Sequence, residues 1–284
     1  MYRTKNIINT QQIMARTDAS VRKRYGKWND NLYNRYLELF PEFESTLIWD
    51  GIAFPEEYVK ARFKVMFLNR EGYDKEKDNG YCLDEELRKR IEKGDPDDPI
   101  FPGQYNLRRR LKQYLAVLDL MGHNGFQGLT DEAVQERVAE FSDEDFYRLM
   151  KRSAYCNVKK SDGRPQSYRP DLQQHAERGL EILKEQISFF NPSIILAGDV
   201  CDDVLDELVD WGDNLFCDPE HRINIWQIKI GEDLFPYVDM FHPSSRRPSM
   251  GEYYLELLHA LQAVEKDSPR FWLERLDRSC FQER

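Results

Sequence analysis

The sequence predicts an α/β fold: a three-layer α/β/α arrangement around a central, mostly parallel sheet of four or five strands, with an added helical N-terminal extension. Two observations lead there. Short apolar runs of strand length alternate along the chain with segments of helical periodicity, the order that a parallel sheet covered on both faces requires. One run, Ser193-Ile194-Ile195-Leu196-Ala197-Gly198, is almost wholly apolar, as in strands buried on both faces. The pattern divides into a helical extension over 1–45, an α/β domain over 46–265 and a tail over 266–284 that packs on the core.

Each element follows from local signals. Residues 7–40 read as helix and stop before Pro41. Residues 63–68 form the first strand, closed by a turn at Asn69-Arg70-Glu71-Gly72. Residues 74–103, acidic and proline-containing, read as a long excursion. Helical spacing returns over 107–121 and closes at Gly122-His123-Asn124-Gly125. Two short helices fill 131–150, the second capped by Ser142 with acidic residues in its first turn. Residues 153–158 are the second strand. An amphipathic helix spans 171–190, started by Pro170-Asp171 and stopped at Asn191-Pro192. The strand at 193–198 precedes a helix expected over 200–211. Residues 223–230 and 234–240 pair around Gly231-Glu232, as a hairpin or as an edge strand beside a core strand. The last core helix covers 250–264.

Bulk properties narrow the function classes. The chain has 284 residues, 40% of them apolar and 13% aromatic, enough for a sizeable core in one large domain or two small ones. Charged residues make up 32% and mean hydropathy is −0.73, which implies a heavily charged, helix-rich surface. No apolar run reaches the length of a membrane span and no signal-peptide pattern opens the chain, so a cytoplasmic location without a membrane partner is expected. Five scattered cysteines without a CxxC pair read as reduced, mostly buried thiols rather than disulfides or zinc ligands. The net charge of −10 argues against a protein that coats nucleic acid, while leaving room for a local basic patch. There is no P-loop and no GxGxxG, hence no such phosphate cradle.

Chemistry concentrates at the strand ends. Phe241-His242-Pro243-Ser244-Ser245-Arg246-Arg247 follows the last strand, and Pro243 ends it because proline cannot donate to a ladder. A histidine at a strand's C-terminal end faces the crevice where open α/β sheets bind ligands. The two serines and two arginines that follow suit phosphate. Asn69 closes the first strand and Asn157 lies in the second, so a parallel sheet brings these residues and His242 to one edge.

Plainer roles stand beside each of these. A His-Pro turn is often plain loop, and a strand asparagine can simply satisfy backbone groups. Asn69 suits a turn with left-handed backbone. Tyr73 can shape a pocket or cover a strand end. Glu71 can activate water or face solvent, and solvent is the preferred reading. His123, His175, His221 and His259 lack ligand spacing and read as structural or surface residues.

Taken in order, Asn157-Val158-Lys159-Lys160, Arg169-Pro170, the long helix, and Asn191-Pro192-Ser193-Ile194-Ile195-Leu196-Ala197-Gly198 resemble the iron–sulfur-containing branch of the uracil-DNA glycosylase superfamily. His242-Pro243-Ser244 is similar to that superfamily's second signature, and Phe67-Leu68-Asn69-Arg70-Glu71-Gly72 sits where its water-activating signature belongs. The resemblance covers about residues 60–262. It implies that His242 stabilises a leaving base anion, Asn157 reads the base edge and Asn69 positions water, with Glu71 as the second candidate for that last task. It further implies that Gly72, Tyr73, Lys159, Ser244, Ser245, Arg246 and Arg247 contact substrate, the serine and arginine residues through backbone phosphates. The implied reaction is hydrolysis of the N-glycosidic bond of a flipped base in DNA.

The chain departs from the pattern in three places. Arg70-Glu71 replaces the small-residue turn of the first signature. Ser161 and Gly179 stand near two positions where the similar branch has cluster cysteines, so no cofactor or metal is expected. Ser245-Arg246-Arg247 replaces an apolar wedge. Two alternatives follow: the fold binds or hydrolyses a small nucleoside or nucleotide, or it is a non-catalytic binding module. A basic rim around His242 favours DNA, an acidic rim the small ligand, and a pocket filled by side chains the binding module.

Overall fold

The computed structural model describes residues 3–72, 80–94, 100–101, 104–121, 124–162, 168–200, 204–205, 209–220, 222–245 and 251–281, without the side chains of 3–17, 72 and 162. The chain opens with α1 (Arg3–Leu39), which buries Val21, Tyr25, Leu32 and Tyr36, a stripe at helical spacing. After it come β1 (Ile48–Trp49), α2 (Pro55–Tyr58) and β2 (Val65–Gly72). Then follow β3 (Tyr81–Cys82), α3 (Leu83–Lys93), α4 (Tyr105–Asp119), α5 (Asp131–Glu140) and α6 (Asp143–Met150). The expected cap of α6 is present: Ser142 Oγ accepts the Asp145 N–H, and Asp145 accepts the Ser142 N–H in return. The second half runs β4 (Ser153–Asp162), α7 (Arg169–Phe190), β5 (Ile194–Gly198), β6 (Asp210–Asp218), β7 (Ile223–Ile230), β8 (Asp233–Met240) and α8 (Tyr253–Asp267).

The main sheet has six strands in the order β4-β2-β5-β8-β7-β6, and β1 pairs with β3 in a small parallel sheet. Strands β4, β2, β5 and β8 are mutually parallel, while β8-β7-β6 is antiparallel. The sheet is therefore mixed and larger than the four or five mostly parallel strands expected. The additional strand is β6, where the sequence suggested the end of a helix over 200–211; within that span Val204–Leu205 are helical and 201–203 and 206–208 lie outside the described residues. Strand β6 sits at the edge with much of its length exposed, so its sequence carries no continuous apolar run to announce it. The 231–232 turn makes β7 and β8 a hairpin, with Gly231 at a φ of +61° that favours glycine.

Three further expectations change. Asn69-Arg70-Glu71-Gly72 is strand rather than turn, because β4 pairs alongside through Asn69 and Glu71. Strand β4 likewise runs on past Val158 to Asp162. The 74–103 excursion contains β3 and α3, and α3 ends at Gly94 in the left-handed region.

Alternation along the parallel strands sends side chains to two cores. Val65, Phe67, Tyr155, Ile194, Leu196, Val238 and Met240 join α4, α6 and α8 on one face. Met66, Leu68, Ala154, Cys156, Ile195, Ala197 and Tyr237 join α1 and α7 on the other. The N-terminal helix packs on the body: Trp28 stacks on Phe189 at 3.9 Å, and Tyr36 is buried. The tail closes the same side, with Phe281 fully buried and its N–H donating to the Phe189 carbonyl at 2.8 Å. No helix among the described residues is long and apolar enough to cross a membrane.

Candidate functional site

The parallel register lays out a row across the C-terminal edge of the sheet. Asn69 on β2 pairs in register with Asn157 on β4. On its other side β2 pairs Leu68 with Ala197, which puts Gly198 level with Asn69. Gly198 is in turn level with Met240 on β8, so His242 stands two residues beyond the row. Asn157, Asn69 and Gly198 share the parity of Phe67, Tyr155 and Leu196, and so lie on the face that carries α4 and α8. The predicted convergence of Asn69, Asn157 and His242 is present.

Both asparagines are buried, and the Nδ2 of each has no hydrogen-bond partner among the described residues. Buried donors without acceptors carry a desolvation penalty of about 1–3 kcal/mol each. Other groups, such as the Tyr58 and Tyr114 hydroxyls, are likewise buried without a partner among the described residues, and what sets the two asparagines apart is their shared register beside His242. Asn69 is a strand residue and not the left-handed turn residue that its type also suits.

Gly198 lets its neighbours close in beside them. A Cβ there would lie 2.8 Å from Asn69 Oδ1 and 3.1 Å from His242 Cδ2. Asn69 and His242 thus approach each other across a position with no side chain. The sequence marks Gly198 only as a strand end; its role in letting two polar groups approach is a tertiary fact.

His242 is held in one tautomer. Its Nδ1 lies 2.7 Å from Ser244 Oγ and accepts the Ser244 N–H at 3.1 Å. A ring nitrogen that accepts a backbone N–H carries no proton, so the neutral ring bears its hydrogen on Nε2. Desolvation, followed by the Arg70 guanidinium, pushes the imidazole down from 6.5 to about 4, against the opposing pull of Asp199. His242 is a neutral N–H donor at physiological pH. Ser244 thus orients the ring, and the Ser245 N–H donates to the His242 carbonyl at 2.8 Å to close the turn.

Among the described residues, the cations Lys159, Arg70 and Arg222 near the row each face a carboxylate. Lys159 is buried, with Nζ 2.5 Å from Asp171 and 3.7 Å from Glu71. Glu71 is correspondingly not solvent-facing: its side chain is 6% exposed and lies beside Lys159. Arg70, on the opposite parity, pairs with the Asp199 carboxylate and donates through Nε to the Asp199 carbonyl at 2.7 Å. Arg222 reaches the same carboxylate at 3.2 Å. Arg70 is therefore a latch between β2 and the turn after β5, where Asp199 takes a φ of +61°. Tyr73, Arg246, Arg247, His123 and His221 lie outside the described residues, as does the side-chain environment of Gly72. Of the other histidines, His175 is buried and His259 is a surface partner of Asp131 at 2.8 Å.

Asp50, which no sequence signal marks, and Lys160, the last residue of the Asn157-Val158-Lys159-Lys160 motif, stand behind Asn157. Asp50 Oδ2 accepts the Asn157 N–H at 2.7 Å, and Lys160 Nζ lies 2.5 Å from Asp50 Oδ1. Burial raises the Asp50 carboxyl above its ordinary value, with Lys160 opposing the shift. Neither link has a local signal, since Asp50 is 107 residues away from Asn157 in the chain.

No family model, curated protein or solved structure matches this chain.

Proposed function

We propose that the chain is a uracil-DNA glycosylase-like N-glycosidase that takes a flipped, damaged or mismatched base of DNA over the row Asn157, Asn69 and Gly198 and hydrolyses its N-glycosidic bond. The observation that carries this reading is the pair of buried, unpartnered amide donors beside a neutral histidine that is itself a donor. Such a set suits a planar ring with carbonyl acceptors, whose binding would relieve the unmet hydrogen bonds. The motifs Asn157-Val158-Lys159-Lys160 and His242-Pro243-Ser244 add to it by resemblance.

In this mechanism Asn157 donates to the base edge. The C1′–N bond breaks with its electron pair leaving on the base, and the His242 Nε2–H stabilises the oxyanion that develops on the base carbonyl. A water held by Asn69 attacks C1′ and gives up a proton to solvent, while solvent protonates the departed base. Asn69 orients this water without accepting its proton, because an amide is not a base near neutrality. Glu71 is the second candidate for that task, although Lys159 already engages its carboxylate. The scattered thiols fit a reducing compartment, and the cytoplasm is the proposed location.

One observation favours a second reading, in which the substrate is a small nucleoside or nucleotide. Lys159, Arg70 and Arg222 each face a carboxylate, so these three cations supply little net charge for a polyanion. The test is base release at low salt from single- and double-stranded oligonucleotides carrying uracil, hypoxanthine or a mismatched base, with free nucleosides alongside and His242→Ala as control. His242-dependent release from DNA supports the first reading. Release from nucleosides alone moves the assignment to the second, and no release from either removes the glycosidase reading.

A further inference from the structure

We propose that Asp50 and Lys160 are positioning residues that replace a missing rung of backbone pairing and thereby hold Asn157 at the site; the functional part of this rests on the reading of Asn157 given above. Strand β4 is an edge strand of the main sheet, so the outer N–H and C=O groups along it need partners from elsewhere. The segment around β1 supplies them in part. It meets β4 antiparallel at two bridges, Leu47 with Ser161 and Gly51 with Tyr155. The bridges are four residues apart on one segment and six apart on the other, so the two cannot pair continuously between them. In that interval Ile48 and Trp49 pair instead with β3.

Asn157 falls in the interruption. Its N–H donates to Asp50 Oδ2 at 2.7 Å, and its carbonyl accepts from Lys160 Nζ at 3.2 Å. The same ammonium closes the triangle on Asp50 Oδ1 at 2.5 Å. Two side chains thus do what a neighbouring strand would do, on both sides of the one residue whose amide faces the row. Asp50 is 0% and Lys160 2% exposed. Tyr36 Oη accepts the Lys160 N–H at 3.3 Å, which ties the arrangement to α1. Fixing both peptide groups of Asn157 fixes the direction of its Cα–Cβ bond, and hence where its amide stands relative to Asn69 across the strand.

Stability alone does not account for this pair. A buried ion pair pays for its own desolvation, and apolar replacements of similar size often leave a protein equally stable or more so. What apolar side chains cannot supply is an acceptor for one backbone N–H and a donor for the adjoining carbonyl.

The experiment uses the full chain and four forms: wild type, Asp50→Leu with Lys160→Met, Asp50→Asn, and Asp50→Asn with Lys160→Gln. Amide hydrogen exchange is followed by NMR at Asn157 and at Tyr155, whose N–H is held independently by the Gly51 carbonyl at 2.9 Å. The apolar double variant leaves the Asn157 N–H and carbonyl without partners, so it is expected to lower the thermal midpoint and, at a temperature where it remains folded, to speed exchange at Asn157 by about tenfold or more, with Tyr155 unchanged. Asp50→Asn keeps an acceptor for the Asn157 N–H, so its exchange should fall between the two while the uncompensated Lys160 ammonium lowers its stability. Asp50→Asn with Lys160→Gln, which keeps an acceptor and a donor without charge, serves where either form does not fold and should exchange near the wild-type rate. Equal exchange at Asn157 in wild type and in the folded apolar or Asp50→Asn form, fast exchange there in the neutral polar pair, or equal acceleration at Tyr155, would overturn the positioning role. On a uracil-containing single-stranded oligonucleotide the double variant should lose about tenfold or more in kcat, with partial recovery in Asp50→Asn. A wild-type chain that releases no base defeats the glycosidase reading and leaves the exchange result to decide the positioning on its own.

Discussion

Asn69 and Asn157 stand opposite each other on neighbouring parallel strands, both buried, each with a side-chain nitrogen that meets no acceptor among the described residues. A folded chain ordinarily pairs or solvates such groups, because the penalty for leaving them unmet is comparable to a lost hydrogen bond. Other buried groups in this fold are also unmet, so it is the position of these two, in register on parallel strands and beside His242, on which the proposed site rests.

Replacing either asparagine should therefore separate function from stability. Asn157→Ala and Asn69→Ala are each expected to lower base release by about tenfold to a hundredfold, the scale of a lost hydrogen bond to substrate. Stability should change by less than about 1 kcal/mol, since the Nδ2 groups removed leave no protein acceptor unsatisfied. Urea unfolding beside turnover checks this. A large drop in the unfolding midpoint that parallels the loss of turnover would make both residues structural.

His242→Ala should reduce base release by about a hundredfold or more, the scale of one oxyanion donor. At neutral pH the ring nitrogen shifts of His242 in 15N NMR should report a hydrogen on Nε2 and none on Nδ1, as the Ser244 N–H contact requires. A hydrogen on Nδ1 would contradict the donor role.

The Gly198→Ala substitution tests the approach of Asn69 and His242 without replacing a polar side chain. Its new methyl would meet Asn69 Oδ1 at 2.8 Å and Pro243 Cδ at 3.0 Å. Overpacking of this kind destabilises by about 1–3 kcal/mol. Turnover should fall by about tenfold or more at a temperature where the variant remains folded, because Asn69 and His242 must move apart. Wild-type turnover in the folded variant would show that their separation does not matter.

Acid should weaken the fold in a defined window. Burial, with Lys159 second, pushes His175 down from 6.5 to about 4 against the opposing pull of Asp171. As pH falls below 6.5 the unfolded chain takes up this proton first, so stability is fully present above 6.5 and is lost progressively down to about 4. The whole effect is about 3 kcal/mol for a residue that is 3% exposed. His175→Gln should flatten this part of the curve of urea midpoint against pH, and an unchanged slope would assign the acid sensitivity elsewhere. His242 is depressed in the same direction and adds to the slope in the same window.

Much of the frame was legible in the sequence because its causes are local. Apolar runs of strand length, the Ser142 cap, the Asn191-Pro192 stop and the Gly231 turn each depend on a few neighbouring residues, and each has a counterpart in the fold. The placing of Asn69, Asn157 and His242 toward one edge of the sheet follows from the alternation of strands and helices, although β2 and β4 run on past both asparagines. Strand β6 was not legible, since an exposed edge strand is held by backbone pairing to β7 and needs no apolar signature. Lys159 suggested a substrate contact, but its partner Asp171 comes from the first turn of α7, a pairing that charge and sequence spacing do not reveal.

Local signals in the chain were enough for the α/β class, the core strands, the helix over 171–190 and the hairpin at 231–232. The tertiary structure alone decided that Asn69 and Asn157 share a register, that Gly198 lets Asn69 and His242 approach each other, and that Asp50 and Lys160 stand beside Asn157 where a strand is missing. The physical reason is that periodicity and capping are set by neighbours in the chain, whereas register and buried charge pairing are set by long-range packing between distant segments.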